Sequence, residues 1–443
     1  MTTLSDLAAR ITLHAKLLDE HLQSNNLPTP SFSIDAPPDF PNPDKDPRVE
    51  AARVALIEDT QTLRNLALGP GQVVRQVGWS IIDLSTQHTL LTLHIPSLIP
   101  LTPTGIPYTT LSTLTHLPPQ TLKLLLRQSA TAGLFHEPSP NHIAHTASSA
   151  VLVRDGPLGD WFAHHLEEVF PAALKLAMVV GGSKGVVTES KMEGEGGGKK
   201  GMGNSAFSLA FGIEDGFWDF LERNPDRQRR FLGAMEAVGG DGGHSLRFVV
   251  EGFQWGSVGE GEGEGKGEGK GVVVDVGGSA GFLSATLAQT YPKLHFIVQD
   301  YAHTVESGRS QLPPSLQDRV SFMAHDFFTP QPVSADVYLL RHVCHNWSDG
   351  DAARILGNIV PAMKEGSRIV LVEVVVVEPG VVGGVQERYM RNVDVNMFQM
   401  LNTQERGVED WERVVKQADA RLEVKGINQP EGSWDSIIEI GFE

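Results

Sequence analysis

The 443-residue chain holds a single cysteine, Cys344, which excludes any disulfide within it and fits a reducing compartment. Basic residues are also scarce: 36 Lys and Arg stand against 54 Asp and Glu, for a formal charge of −18. Nucleic acids and anionic membranes both need clustered cations, so this balance argues against either as a partner. Long apolar runs are missing as well. Nothing approaches the roughly 18 consecutive apolar residues that a membrane span takes. The opening "MTTLSDLAARITLHAKLLDEHLQ" lacks the apolar core of a signal peptide. These absences predict a cytoplasmic protein that works on small molecules. What is present is an ordinary globular composition, 40% hydrophobic, in a chain long enough for two or three domains.

Helical periodicity fills the first quarter. Leu4, Leu7, Ile11, Ala15, Leu18 and Leu22 trace one face of a helix. A proline-rich loop (27–47) precedes a second helix expected over Arg48–Leu68. "PYTTLSTLTHL" and "PPQTLKLLLRQSATAGLF" read as two helices, the second opened by paired prolines and closed by Gly133. "GLFHEPSPNHIAHT" then reads as two short strands around a Ser-Pro-Asn turn. That order is a winged helix. Its second helix offers only Lys123 and Arg127 to a phosphate backbone, so an interaction or lid role fits better than DNA binding.

Two stretches, 181–203 and 256–271, are rich in Gly, Glu and Lys and bury too little to offset their ordering entropy. They are expected to be mobile surface loops. The aromatic-rich helices between them are expected to wall a pocket. The domain reading is therefore 1–155 for the helical and winged-helix part and 156–255 for a helical linker with the insertion 181–203. Residues 256–271 form a low-complexity loop, and 272–443 a ligand-binding domain.

That last domain is α/β. "GVVVDVGGSAGFLSATLAQTYPKLHFIVQD" (271–300) reads as strand, glycine turn, helix and strand, ending in Asp300. The apolar run Val272–Val276, broken only by Asp275, suits a buried parallel strand. Gly277, Gly278 and Gly281 let the chain turn sharply and let a ligand approach the helix N-terminus. A carboxylate at Asp300 can accept both hydroxyls of a ribose. Asp275 would repel a pyrophosphate but hold an ammonium group, directly or through water. A ligand with a ribose at one end and an amino acid at the other satisfies both acids, and S-adenosylmethionine is such a ligand. Further strands are expected over 319–328, 335–347 and 367–378, with a helix between the last two and a closing hairpin. Asp275, Asp300, Asp326 and His345 then fall at the C-terminal strand ends, where doubly wound sheets bind ligands.

"VVVDVGGSAG", "FIVQD", "HDFF", "HNWSD", "RIVLVE" and "NTQERGVEDW", in this order, resemble the caffeate-type plant O-methyltransferases and their fungal polyketide relatives. The resemblance implies a Rossmann-like class I methyltransferase domain behind an N-terminal helical, winged-helix dimerisation domain. It implies S-adenosylmethionine as cofactor, a phenolic small molecule as methyl acceptor, and a homodimer. By position, Gly277, Asp300, Asp326, Phe327 and Arg341 would line the cofactor site. His345 falls on the catalytic base, and Glu373 and Glu405 on its two flanking acids. Phe231, Met235, Trp347, Asp394 and Met397 are expected to line the acceptor pocket.

The chain departs from that pattern at Ser279, where a middle glycine is common and an ordinary backbone angle is expected to suffice. It departs again at Asn346, which replaces an aspartate. A metal site of His342, Cys344 and His345 is disfavoured, because neighbours on a strand end point opposite ways. His342 reads as a core histidine inside the strand, and His345 as the base beyond it. A phenol, with a pKa of about 10, is within reach of an imidazole base. The alternative reading is a pericyclase that uses the cofactor's positive charge without transferring the methyl.

Overall fold

The structure, a computed structural model, describes residues 3–43, 45–181, 204–240, 242–259 and 271–443. The two Gly-rich stretches expected to be mobile lie almost wholly outside the described residues. The chain forms two compact units, Met1–Glu167 and Glu168–Glu443. The helices of 168–255 thus group with the sheet, where the sequence reading set them apart as a linker.

The first unit begins with α1 (Leu4–Ser24) and α2 (Pro47–Leu68). Thr3 and Asp6 cap α1 reciprocally, and Asp46 caps α2 ahead of a proline at its first turn. Leu7, Leu18 and Leu22 of α1 are buried, while Leu4, read onto the same face, stays 50% exposed. A third helix, α3 (Pro70–Thr92), was not foreseen. Gly69, at φ 73, turns the chain and Pro70 restarts it, so the Gly-Pro break separates two helices instead of ending them. The winged helix follows. Helices Tyr108–Thr115 and Pro119–Thr131 pack with a three-stranded sheet of order β1-β3-β2, built from β1 (Ile106–Pro107), β2 (Phe135–His136) and β3 (His142–His145). Leu111, Leu122, Leu126, Phe135 and Ile143 form its core. Arg127 is engaged by Glu137 through two hydrogen bonds of 2.8 and 3.0 Å, and Lys123 donates to Asn141.

The second unit holds a seven-stranded sheet of order β6-β5-β4-β7-β8-β10-β9. Its strands are β4 (Gly271–Val276), β5 (Leu294–Asp300), β6 (Val320–Ala324), β7 (Val337–Arg341), β8 (Arg368–Glu373), β9 (Leu422–Asn428) and β10 (Ser436–Phe442). The first five are parallel and the last two close the edge antiparallel. Successive residues face opposite, equally dry cores. Val274, Tyr338, Leu340 and Leu371 point to one side, and Val273, Leu339, Val370 and Val372 to the other. Two covered faces explain why these strands read as unbroken apolar runs.

Three strands are shorter than expected, and the difference falls at the site. β6 stops at Ala324, before Asp326. β8 stops at Glu373. β7 stops at Arg341, so His342 lies just past the strand and not inside it. His342 takes a left-handed backbone (φ 52), and a short 3-10 turn, Cys344–Asn346, follows.

Candidate active site

The glycine turn after β4 is built from below. Asp275 is 2% exposed, accepts a 2.6 Å hydrogen bond from the Ser284 hydroxyl, and burial raises its carboxyl to about 6. A Cβ on Gly278 would lie 2.5 Å from that carboxylate. Asp275 therefore supports the turn from beneath, with one carboxylate oxygen engaged by Ser284 and the turn passing close over it at Gly278. Gly277 (φ 72) and Ser279 (φ 53) both sit in the left-handed region. The ordinary angle expected for Ser279 is thus corrected. A non-glycine residue holds this angle at some cost, offset here because the Ser279 N–H donates 3.0 Å to Asp300. Asp300 also accepts from the Tyr301 N–H at 2.8 Å, and burial raises its carboxyl. Across the crevice, Phe327 packs near Gly277 and edge-on to Trp347, while Asp326 is exposed and caps Phe328 N–H at 2.9 Å.

His345 sits in the 3-10 turn beyond β7, with its side chain 11% exposed. Its Nδ1 lies 2.8 Å from Glu405 Oε1 and 3.9 Å from Glu373 Oε2. Burial alone would favour the neutral ring, but the two carboxylates outweigh it and hold His345 up at about 9. Burial raises Glu373 to about 7, against the opposing pull of His345. The other Glu373 oxygen accepts the Val343 and Cys344 N–H groups at 3.2 and 2.8 Å, which fixes the turn. Thr403 donates 2.7 Å to the His345 carbonyl, and Asp394 accepts 2.9 Å from the Glu405 N–H. With Nδ1–H given to Glu405, Nε2 is the nitrogen left to face a substrate.

Arg406, which the sequence reading passed over, is 1% exposed and ties the turn from behind. Its guanidinium donates to the Cys344 and Trp347 carbonyls at 2.9 and 2.6 Å and to Asp349 at 2.7 Å. Its only signal in the sequence was adjacency to Glu405. Asn346 donates 2.9 Å to the His342 carbonyl, a bond that an ionised aspartate could not make.

His342, Cys344 and His345 each have different partners. Cys344 is buried, its backbone N–H is given to Glu373, and its thiol is pushed far above its ordinary range by burial. His342 Nε2 instead lies 2.9 Å from Asp435 Oδ1, which His244 Nδ1 reaches at 2.7 Å. His244, His342 and Asp435 bring one donor atom each within 4.8 Å of one another. The distances are those of two N–H donors sharing one oxygen. The Arg341 guanidinium, 4.0 Å from Asp435, opposes a further cation there. Among the expected acceptor residues, Asp394 reaches Glu405, and half-buried Phe231 packs edge-on to Phe217 and Trp218. Met235 and Met397 are half-buried on their helices, Met397 against the sheet core. Trp347 differs: it is 3% exposed and held edge-on between Phe327 and Phe328, a wall and not an open contact.

Residues 267–420 match the model of an O-methyltransferase domain. The chain is 34% identical to O-methyltransferase aoiF of Aspergillus oryzae, over 99% of this chain and 100% of that one. The chain belongs to the O-methyltransferase family. A second relative of this group is the grayanic acid biosynthesis cluster O-methyltransferase of Cladonia grayi, 32% identical over 99% of this chain and 88% of that one. The fold matches the crystal structure of OxaC at a TM-score of 0.76, covering 99% of each chain at 20% identity. It also matches LepI, solved in complex with S-adenosylmethionine, at 0.70, with 98% of this chain and 100% of that one covered and 20% identity. As a methyltransferase of this family, the enzyme depends on S-adenosylmethionine. Among the described residues, no helix is long and apolar enough to cross a membrane.

Proposed function

We propose that this enzyme methylates a phenolic hydroxyl of an aromatic, polyketide-type secondary metabolite, with His345 as general base. One observation carries the reading: an imidazole paired to Glu405 at 2.8 Å stands at the C-terminal strand ends, beside the glycine turn. Asp300, Gly277, Gly281 and Phe327 would hold the nucleoside side of S-adenosylmethionine, with Asp326 at its edge. Arg341 would hold the carboxylate. Its Nε is buried without a hydrogen-bond partner, which suits an anionic group still to come. When bound, the cofactor supplies an electrophilic methyl on a cationic sulfur.

The chain's own contribution is a proton acceptor matched to the phenol. A base whose conjugate acid lies at about 9 is close to a phenol's pKa of about 10, so proton transfer is nearly balanced. At pH 7.5 a few per cent of His345 rings are neutral, roughly, and each of these is a strong base. Glu405 keeps Nδ1 protonated and, with Glu373, stabilises the imidazolium that forms. The rest of the acceleration is positional. The carboxylate pair retained around His345 disfavours the pericyclase reading, which needs no proton acceptor here.

The test is incubation with S-adenosylmethionine and a panel of hydroxylated anthraquinones, xanthones and flavonoids. A product heavier by one methylene, with adenosylhomocysteine released, supports the reading. An isomer of unchanged mass points to the pericyclase, and no turnover of any phenol by folded, cofactor-binding protein overturns it.

We also propose that the protein is a homodimer. On α3, Val74, Val77, Ile81 and Leu84, spaced three and four residues apart, are 72%, 70%, 47% and 43% exposed, an apolar stripe that a second copy would cover. Light scattering should give twice the chain mass, and Val77→Glu or removal of residues 1–25 should halve it.

A further inference from the structure

His244 ends the 3-10 turn Gly242–His244 and is 5% exposed. Its position is fixed on three sides. Nδ1 meets Asp435 at 2.7 Å, and the His244 carbonyl accepts from Arg341 at 2.9 Å. The neighbouring Gly243 carbonyl accepts the Trp434 N–H at 2.8 Å. Burial would raise the Asp435 carboxyl, but the imidazoles of His342 and His244 hold it well below its ordinary range, so it is an ionised acceptor. The His244 Nδ1 is then the donor, and Nε2 is the ring nitrogen left over. That Nε2 is buried and has no hydrogen-bond partner. Around the ring stand Tyr389 at 5.0 Å, His342 at 5.2 Å and Trp434 at 5.6 Å between centroids. Tyr389 and Trp434 also line a small cleft with Val374, Val377 and Gln386. The rings of His244 and His345 each lie within 5.5 Å of the His342 ring, on which both pack.

A buried acceptor without a donor costs free energy until something donates to it. The aromatic frame says the donor arrives on a flat apolar body. We propose that His244 is a specificity-determining residue whose Nε2 accepts a hydrogen bond from a second hydroxyl of the acceptor, so that the substrates are polyhydroxylated fused aromatics. The proposal rests on the phenol methylation argued above. It assigns His244 to the far end of the same acceptor, with the near hydroxyl at His345.

The probes are dihydroxynaphthalenes with one hydroxyl on each ring, compared with the naphthols, which lack the second hydroxyl. Binding to the full-length protein is measured by calorimetry with adenosylhomocysteine present, and turnover is measured separately with S-adenosylmethionine. Wild type should bind the best dihydroxynaphthalene about tenfold or more tighter than its naphthol. His244→Asn keeps a donor for Asp435 but removes Nε2. It should erase that preference while leaving the melting temperature, cofactor affinity and naphthol binding in place. His244→Phe fills the ring volume and serves as a second variant. Absence of any preference in wild type, or a preference that survives His244→Asn, overturns the proposal. Loss of cofactor affinity in His244→Asn overturns it too, by assigning Nε2 to the cofactor. A preference in binding without methylation of any probe keeps this assignment and sinks the phenol reading instead.

Discussion

His342 and His345 stand three residues apart at one sheet edge, both buried against carboxylates, yet they hold protons oppositely. Burial pulls His342 down to about 3, whereas His345 is held up at about 9. The difference lies in how the counter-charge is shared. Asp435 is divided between His342, His244 and the Arg341 guanidinium, so little of its field is left to charge one ring. His345 faces two carboxylates and donates a full hydrogen bond to Glu405. A buried imidazole thus becomes a base or a fixed donor according to the number of anions it has to itself. The first arrangement suits the proton transfer proposed for His345, and the second holds the local fold.

The largest expected break in that contrast is deletion of the base. His345→Ala should cut kcat by about 10²–10⁴-fold with cofactor affinity nearly intact, whereas His342→Asn should cost less than about tenfold. Equal losses at both positions would erase the distinction. Glu405→Gln comes next. Removing one of the two anions should lower the plateau rate by roughly 10²-fold and move the acid limb of the kcat/KM profile from about 9 toward the ordinary value near 6.5. Side-chain NMR of the two histidines checks the same point directly, since His345 should be charged at pH 7.5 and His342 neutral.

Stability should follow the same proton. The folded pKa of His345 lies above its unfolded value, so the stabilisation is fully present below about 6.5 and is lost as pH rises through about 9. The stability advantage of wild type over His345→Ala should therefore shrink by on the order of 2–3 kcal/mol across that window, read by denaturant titration. Glu373, raised to about 7 by burial, loses stabilisation in the same direction between its unfolded value and 7, so the window begins lower in wild type than in Glu373→Gln. The smallest effect concerns backbone and not charge. Ser279→Gly relieves a left-handed residue but loosens the unfolded chain, so stability should rise by no more than about 1 kcal/mol.

Much of this was legible in the residues. The apolar runs through Asp275 and up to Asp300 marked strands covered on both faces, and the glycine turn marked where a ligand approaches. His345, Glu373 and Glu405 were named in advance and lie together as a cluster. The turn at His342 was missed because an apolar stretch does not announce where its ladder ends. The left-handed Ser279 was missed because the need came from Asp300, 21 residues later. Arg406, His244 and Asp435 left no local pattern, since their partners sit 57 to 191 residues away.

The sequence by itself determined the order of strands and helices and the glycine turn, because these follow from periodicity and local backbone freedom over a few residues. The tertiary structure alone decided which histidine keeps a proton and which gives one away. That choice depends on how many carboxylates from distant segments converge on each ring in a dry interior, where every added or shared charge counts.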